Sequence, residues 1–280
     1  MCKVLVFSKN RPMQLHAYLE SLFIRWDYAD SCYSNISVLY HNDPPYDYEQ
    51  VISAFPNVNW IPETNFNGQL RELIQNCSDE FIMFGCDDVI FVRPFSLNLA
   101  ELILRENQSI FGFSLRLGQN IQGFPEDIVE DNFFYHWDWK AFELDDFHYP
   151  WELDCTVYRT SDVKDMINKY QKPFINPNYF EEFVTFDWDY YIKRPRLACF
   201  EISKALVLTI NRVQNTHPNY FDDNCPSLEQ LNNMYQQGFI IDIDMPYNNK
   251  IHVGSNYLRI IKWAENGGKG QRELKMGENK

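Results

Sequence analysis

Apolar residues along the chain fall into short continuous runs separated by stretches of helical spacing. The first run is Val4-Leu5-Val6-Phe7, followed by Ser8, a Lys9-Asn10-Arg11-Pro12 break, and then Leu15, Tyr18, Leu19, Leu22 and Phe23 at intervals of one to four. This predicts strand, loop and helix, with Pro12 in the first helical turn, where its missing N–H costs nothing. Runs at 36–40 and 58–61 predict two more strands, ending in His41-Asn42-Asp43-Pro44-Pro45 and Pro62-Glu63, with helices over 48–55 and 69–76. A fourth run, Phe81-Ile82-Met83-Phe84, stops at Gly85-Cys86-Asp87-Asp88 and is followed by Val89-Ile90-Phe91-Val92. Strands alternating with helices predict an α/β fold: a Rossmann-like, mainly parallel sheet covered on both faces, with ligands beyond the carboxyl ends of its strands.

The second half has a different texture. Residues 109–117 read as a strand, and 118–150 form a crowded aromatic and acidic stretch that includes Phe133-Phe134-Tyr135-His136-Trp137-Asp138-Trp139. A strand over 155–158 leads into a helix over 161–170, with Ser161 as its cap and Asp162 in its first turn. A helix over 179–192 and a strand over 205–210 follow. Residues 266–280 hold four of the eleven glycines and almost no apolar residues, which predicts a flexible tail after a single domain over 1–265.

Charge narrows the function. With 25 Lys and Arg against 39 Asp and Glu the formal net charge is −14, so no basic face exists to neutralise nucleic-acid phosphates. No window approaches the roughly 18 uninterrupted apolar residues of a membrane span. The run Val4 to Phe7 is shorter than a signal-peptide core, so a soluble, unprocessed, cytoplasmic chain is expected. The seven cysteines are odd in number and lack CxxC spacing, which fits reduced thiols better than a disulfide scaffold or a zinc site. Aromatic residues make up 16% of the chain, a density that suits a core and also a sugar-handling cleft.

The most informative segment is the end of the fourth strand, where Asp87 and Asp88 stand side by side. Carboxylates at that place need a cation, and Mg²⁺ or Mn²⁺ is commonly held by one or two carboxylates plus substrate phosphates. Three segments, Ser8-Lys9-Asn10-Arg11-Pro12, Asn65-Phe66-Asn67-Gly68-Gln69-Leu70-Arg71 and Cys86-Asp87-Asp88, occur in the order of motifs in the nucleotide-sugar glycosyltransferases of the GT-A fold, which the chain resembles. The resemblance is closest over about residues 1–120, the expected nucleotide-sugar half, and looser over about 121–265, the expected acceptor half. It departs from the family's DxD pattern in having Cys86 at the first position, which leaves Asp88 as the expected metal ligand.

The resemblance implies a role for each position. Phe7, Ser8, Arg11, Asp43, Arg71 and Asp87 are expected to bind the donor, the two arginines bracketing phosphate, base or ribose through their planar forks. In inverting members a carboxylate near the start of a late helix deprotonates the acceptor, which makes Glu181 or Glu182 the expected base, with Asp154 as a further candidate. Trp137, Trp151 and Glu152 are the expected acceptor-binding residues, with Trp139 offering another flat face. His252 is the expected extra metal ligand and His217 a weaker one. The expected reaction is inverting, Mn²⁺- or Mg²⁺-dependent transfer from a UDP-sugar to a glycan hydroxyl. A further resemblance, to glycan-building transferases of large algal viruses, places UDP-xylose ahead of UDP-glucose, UDP-galactose and UDP-N-acetylglucosamine. The competing expectation is a catalytically inactive glycan or nucleotide-sugar binder. A dinucleotide-dependent dehydrogenase is disfavoured, because no GxGxxG follows the first strand.

Overall fold

The computed structural model describes residues 2–27, 33–124, 128–131, 133–141, 146–182, 193–213, 221, 223–247, 250–254, 257–263 and 269–274. The first strand, β1 (Cys2–Lys9), shows why the chain forms a two-faced sheet. Val4 and Val6 point into one apolar layer and Leu5 and Phe7 into the other, the alternation a pleated strand imposes. β4 (Phe81–Cys86) repeats the division: Phe81 and Met83 join the first layer, Ile82 and Phe84 the second. Strands buried on both faces carry continuous apolar runs, which is why these two stand out in the sequence.

The main sheet has nine strands in the order β3-β2-β1-β4-β9-β6-β10-β8-β7. The others are β2 (Ile36–His41), β3 (Asn59–Pro62), β6 (Ile110–Ser114), β7 (Val129–Asp131), β8 (Phe134–Asp138), β9 (Thr156–Arg159) and β10 (Arg196–Phe200). β1 pairs in parallel with β2 and β4, β2 with β3, and β10 with β6. β9 runs antiparallel between β4 and β6, and β8 antiparallel to β10 and β7. Seven of the nine strands therefore point the same way, all but β8 and β9. Helices α1 (Pro12–Arg25), α2 (Glu49–Ala54) and α4 (Leu97–Glu106) contribute to the first apolar layer, and α3 (Phe66–Gln75) and α5 (Thr160–Lys169) to the second.

Several local expectations change. α5 starts one residue earlier than expected, with Arg159 at its N-cap and no side-chain cap bond, so Ser161 lies inside the helix. The aromatic stretch contains the edge strand β7 and its neighbour β8, and β8 buries Phe134 and Trp137. The late helix is described as α6 (Pro177–Glu182), and the remainder of the expected helix, 183–192, lies outside the described residues.

Among the described residues there are also two small sheets: β5 (Val89–Phe91), β11 (Ala205–Leu208) and β13 (His252–Val253) form one; β12 (Phe239–Ile241), β14 (Ile260–Trp263) and β15 (Lys269–Leu274) the other. β15 pairs with β14, so part of the expected tail is a strand; 264–268 and 275–280 lie outside the described residues. α7 (Leu228–Gln236) starts with a capping box in which Ser227 and Gln230 exchange side-chain to backbone bonds. The described cysteines are all free thiols, and no described helix is long and apolar enough to cross a membrane.

Candidate active site

The carboxyl ends of β1 and β4 open into a cavity of about 790 Å³. Beyond the paired residues of the two strands, Asp87 N–H donates to Phe7 O at 3.1 Å. Gly85 permits the close packing beneath it, since a Cβ at that position would stand 2.2 Å from Tyr18 Oη. Phe7, Ser8, Lys9 and Arg11 line the cavity from β1 and its loop, and Cys86 and Asp88 from the end of β4.

The β1 loop is held open by Asn10, whose φ of 57° puts it in the left-handed region that asparagine tolerates better than most residues. Asn10 Nδ2 donates to Asp43 Oδ2 at 3.0 Å, and Asp43 N–H donates back to Asn10 Oδ1 at 2.8 Å. These bonds, then one from His41, hold the exposed Asp43 carboxyl below its ordinary value. Asp43, expected at the donor, thus fixes the loop that delivers Arg11 and does not line the cavity.

Asp87 and Asp88 part company. Asp87 is buried: one oxygen accepts from Ser8 Oγ at 2.8 Å and Lys9 N at 3.1 Å, the other from Arg11 Nη1 at 3.0 Å. Burial pushes its carboxyl up, against the pull of Arg11. Asp88 faces the cavity, bonded to Arg11 Nη1 at 2.8 Å through Oδ2, while its carbonyl accepts from Leu208 N at 2.7 Å. That backbone bond docks the small β5-β11-β13 sheet on the strand ends and brings Thr209, Asn211 and His252 into the cavity wall. Desolvation, with Arg116 adding to it, lowers the His252 imidazole below its ordinary value, which favours the neutral ring.

The far wall is acidic. Asp154 precedes Cys155, a non-glycine residue at φ 68°, and Glu181 arrives from the far end of α6. Glu181 Oε1 accepts from Leu153 N at 3.4 Å, which sets it beside Asp154. Desolvation pushes both acids up, Asp154 to about 7 and Glu181 to about 8, with repulsion from Asp154 and Glu152 adding to the rise of Glu181. For Asp154 the pull of Arg116 ranks second after desolvation, ahead of the repulsion from Asp88. Groups that gain protons this readily in a cleft are candidates for proton transfer.

Several expected residues stand elsewhere. Arg71 donates to the carbonyls of Ile167 at 2.9 Å, Tyr170 at 2.8 Å and Lys172 at 3.1 Å, and lies over the Phe174 ring at 4.8 Å. It satisfies the end of α5 and positions the loop leading to α6, and it does not line the cavity. Trp137 and Trp151 are core residues: Trp137 Nε1 donates to Phe147 O at 2.7 Å, and Trp151 Nε1 to Phe180 O at 3.0 Å. Trp139 is likewise buried. Glu152 is buried in an ion pair with Arg116, supported by Ser114 Oγ at 3.0 Å. Glu182 is exposed and does not line the cavity, and His217 lies outside the described residues. Reasoning from sequence overlooked Arg116, which lines the cavity and also meets Asp146 at 2.7 Å. The signal was present: an Arg between Leu115 and Leu117 and a Glu between Trp151 and Leu153 are two charges in apolar surroundings, and buried charges need each other.

The residues fit a divalent cation. Among the described residues no group of three or more His, Cys, Asp or Glu forms a complete protein cage. Asp88 and His252 instead share a cavity whose remaining acids repel one another, a setting for an ion that takes its other ligands from a diphosphate and water.

The mixed α/β fold, with its large and mostly parallel central sheet, is similar to that of glycosyltransferase structures. The chain is similar in sequence to the bifunctional glycosyltransferase pgtA of Dictyostelium discoideum, 30% identical over 298 residues, an alignment covering 91% of this chain and 39% of that protein. The chain therefore spans about two fifths of that relative's length, 39%. Among solved structures, TarS of S. aureus has the same fold: the TM-score is 0.50 at 15% identity, covering 73% of this chain and 36% of TarS. A TarS 1-349 structure in complex with UDP-GlcNAc aligns with a TM-score of 0.48 at 14% identity, covering 79% of this chain and 62% of that one. No model of a known protein family matches the sequence.

Proposed function

We propose that the chain is an inverting, divalent-metal-dependent glycosyltransferase that moves a sugar from a UDP-sugar to a hydroxyl of a glycan acceptor. The observation that carries this reading is convergence: Asp88, Asp154, Glu181 and His252, from four separate segments, line one cavity at the strand ends. The kinship with a glycosyltransferase supports the reaction class, and the ordered motifs of the first 120 residues support the donor. Within the UDP-sugars, UDP-xylose is the donor we place first.

In this reading Phe7 and Ser8 border the nucleoside, and Lys9 supplies a positive charge at the mouth for the diphosphate. Asp88 and His252 would hold the metal, which when bound stabilises charge developing on the departing diphosphate. Glu181 in its ionised form accepts the proton of the acceptor hydroxyl as oxygen attacks the anomeric carbon from the side opposite the diphosphate, so the configuration inverts. Asp154 stands beside it and hydrogen-bonds a sugar hydroxyl. Tyr149 and Ile175, apolar side chains exposed at the rim, take the acceptor-binding role expected of the buried tryptophans. A catalytically inactive binder would have no use for an acid with a raised pKa beside the donor cleft, which favours the enzyme.

The test is incubation of the protein with Mn²⁺ and a panel of UDP-xylose, UDP-glucose, UDP-galactose and UDP-N-acetylglucosamine, reading UDP release with and without glycan acceptors. Calorimetry with UDP completes it: binding should be tight with Mn²⁺ and much weaker with EDTA or in Asp88→Ala. Equal affinity in all three conditions would remove the metal from the mechanism.

A further inference from the structure

The guanidinium of Arg11 is only 6% exposed, and its bonds surround the acid pair. Nη1 donates to Asp87 Oδ1 at 3.0 Å and to Asp88 Oδ2 at 2.8 Å. Nε donates to Asn211 Oδ1 at 2.9 Å, and Nη2 donates to the carbonyl of Asn211. Asn211 follows β11, in the segment carrying Thr209 on the cavity wall, so the arginine is anchored from the opposite side of the site. Asp87 has its second oxygen taken by Ser8 and Lys9 N, which leaves both of its oxygens engaged.

We infer that Arg11 is a built-in counter-cation that sets how strongly the acid pair takes a divalent ion. It removes Asp87 from the ligand set and engages one oxygen of Asp88, leaving Asp88 Oδ1 to face the incoming ion. It also places a fixed positive charge next to that ion, which lowers affinity for bare metal. The arrangement makes the donor's diphosphate necessary for tight metal binding: the phosphates supply the negative charge that Arg11 has already neutralised in the protein. A metal site of this kind loads with its substrate. This inference rests on the proposed reading of Asp88 as a metal ligand, and on that reading Arg11 is a positioning residue.

The experiment is titration of the full chain with Mn²⁺ alone, followed by calorimetry and by the electron paramagnetic resonance signal of free Mn²⁺. Arg11→Met removes the charge and the donors while keeping the length of the stem, and it should bind Mn²⁺ at least tenfold more tightly than the natural chain. In the natural chain Asp87→Asn should change Mn²⁺ affinity by less than about twofold. In the Arg11→Met background the same change should weaken binding, because the freed Asp87 has become a ligand. Should Arg11→Met fail to fold, Arg11→Lys keeps a charge that can meet only one carboxylate and should give a smaller gain. Equal or weaker Mn²⁺ affinity in the folded arginine variant, with binding still dependent on Asp88, overturns the role of Arg11 and leaves the metal reading intact. Absence of Mn²⁺ binding in every variant, with UDP present or not, overturns the metal reading and this inference with it.

Discussion

Two pairs of acids stand at the cavity. At the strand ends, Asp87 and Asp88 share one buried arginine, which donates to both carboxylates. On the far wall, Asp154 and Glu181 face each other and Glu152 with Arg116 as the nearby cation, and both are pushed up. The difference lies in what supports each pair. Regular strand ends place the first beside a loop whose arginine reaches both carboxylates, whereas the second is assembled from a strained turn and helix α6. A pair tied to one shared arginine is held and oriented. A pair with more negative charge than its surroundings offset can take a proton.

The largest effect that would break this comparison is at Glu181. Glu181→Gln removes the proton acceptor but keeps the shape, so kcat should fall by roughly 10² to 10⁴ while UDP affinity in the presence of Mn²⁺ stays nearly unchanged. NMR of the product should show an anomeric configuration opposite to the donor's. Retention would remove Glu181 from the role of base, and an active Glu181→Gln that still inverts would move the role to Asp154 or Glu182.

Arg116 tests the wall from its positive side. Its pair with Glu152 is buried on both sides, with each side chain 4% exposed. Removing one partner of such a pair leaves a bare charge in an apolar setting, and Arg116→Met should cost about 3–5 kcal/mol in urea unfolding. By contrast Arg25→Ala, which loses an exposed bond to Asp244 at 2.7 Å, should cost less than about 1 kcal/mol. Equal losses would mean that Arg116 is not the cation organising the wall.

How much of this was readable from the sequence follows from how local each signal is. β1, β4 and their loops declare themselves by continuous apolar runs broken by Asn10-Arg11-Pro12 and Asp87-Asp88, because strands buried on both faces need no partner pattern to be seen. β8 and β10 do not, since they are joined across about sixty residues and β8 lies in a stretch whose aromatic density hides the alternation. Of the residues singled out by type, Phe7, Ser8, Arg11, Asp88, Asp154, Glu181 and His252 line one cavity, and Arg71 and the tryptophans stand elsewhere. A guanidinium suits helix-end carbonyls as well as phosphate, and an indole fills a core as readily as it meets a sugar. Only the packing chooses between these uses.

The pH dependence of stability gives a smaller, sharper test. A carboxyl whose folded value lies above its ordinary one keeps the folded state better protonated than the unfolded. Stability is then fully present at low pH and lost as pH rises through the folded value. For Glu181 that window runs from its ordinary value of 4.5 to about 8. His16 works in the opposite sense, since burial lowers its imidazole to about 4 and stability is gained as pH rises from there to 6.5. The difference between the natural chain and Glu181→Gln isolates the acid: calorimetric Tm should fall less between pH 6.5 and 8.5 in the variant. Parallel curves would show that Glu181 titrates like any exposed carboxylate, and the contrast between the two acid pairs would disappear.

The smallest effect concerns the rim of the wall. Tyr149 is 39% exposed and Ile175 is 64% exposed, and both line the cavity that Glu181 also lines. A sugar ring presents an apolar face of C–H groups, and a phenol at the mouth offers a flat partner without needing burial of its own hydroxyl. Tyr149→Ala should therefore raise the KM for the glycan acceptor about threefold to tenfold, the range that a contact of roughly 0.5–1.5 kcal/mol implies, with kcat and donor KM within twofold of the natural values. Trp137→Phe is the matched control. Trp137 is 1% exposed and its Nε1 holds Phe147 O at 2.7 Å, so the change should lower Tm and leave the acceptor KM where it was. If the tryptophan variant moved the acceptor KM and the tyrosine variant did not, the acceptor would have to enter from the β8 side, and Glu181 would stand on the wrong side of the sugar to take its proton.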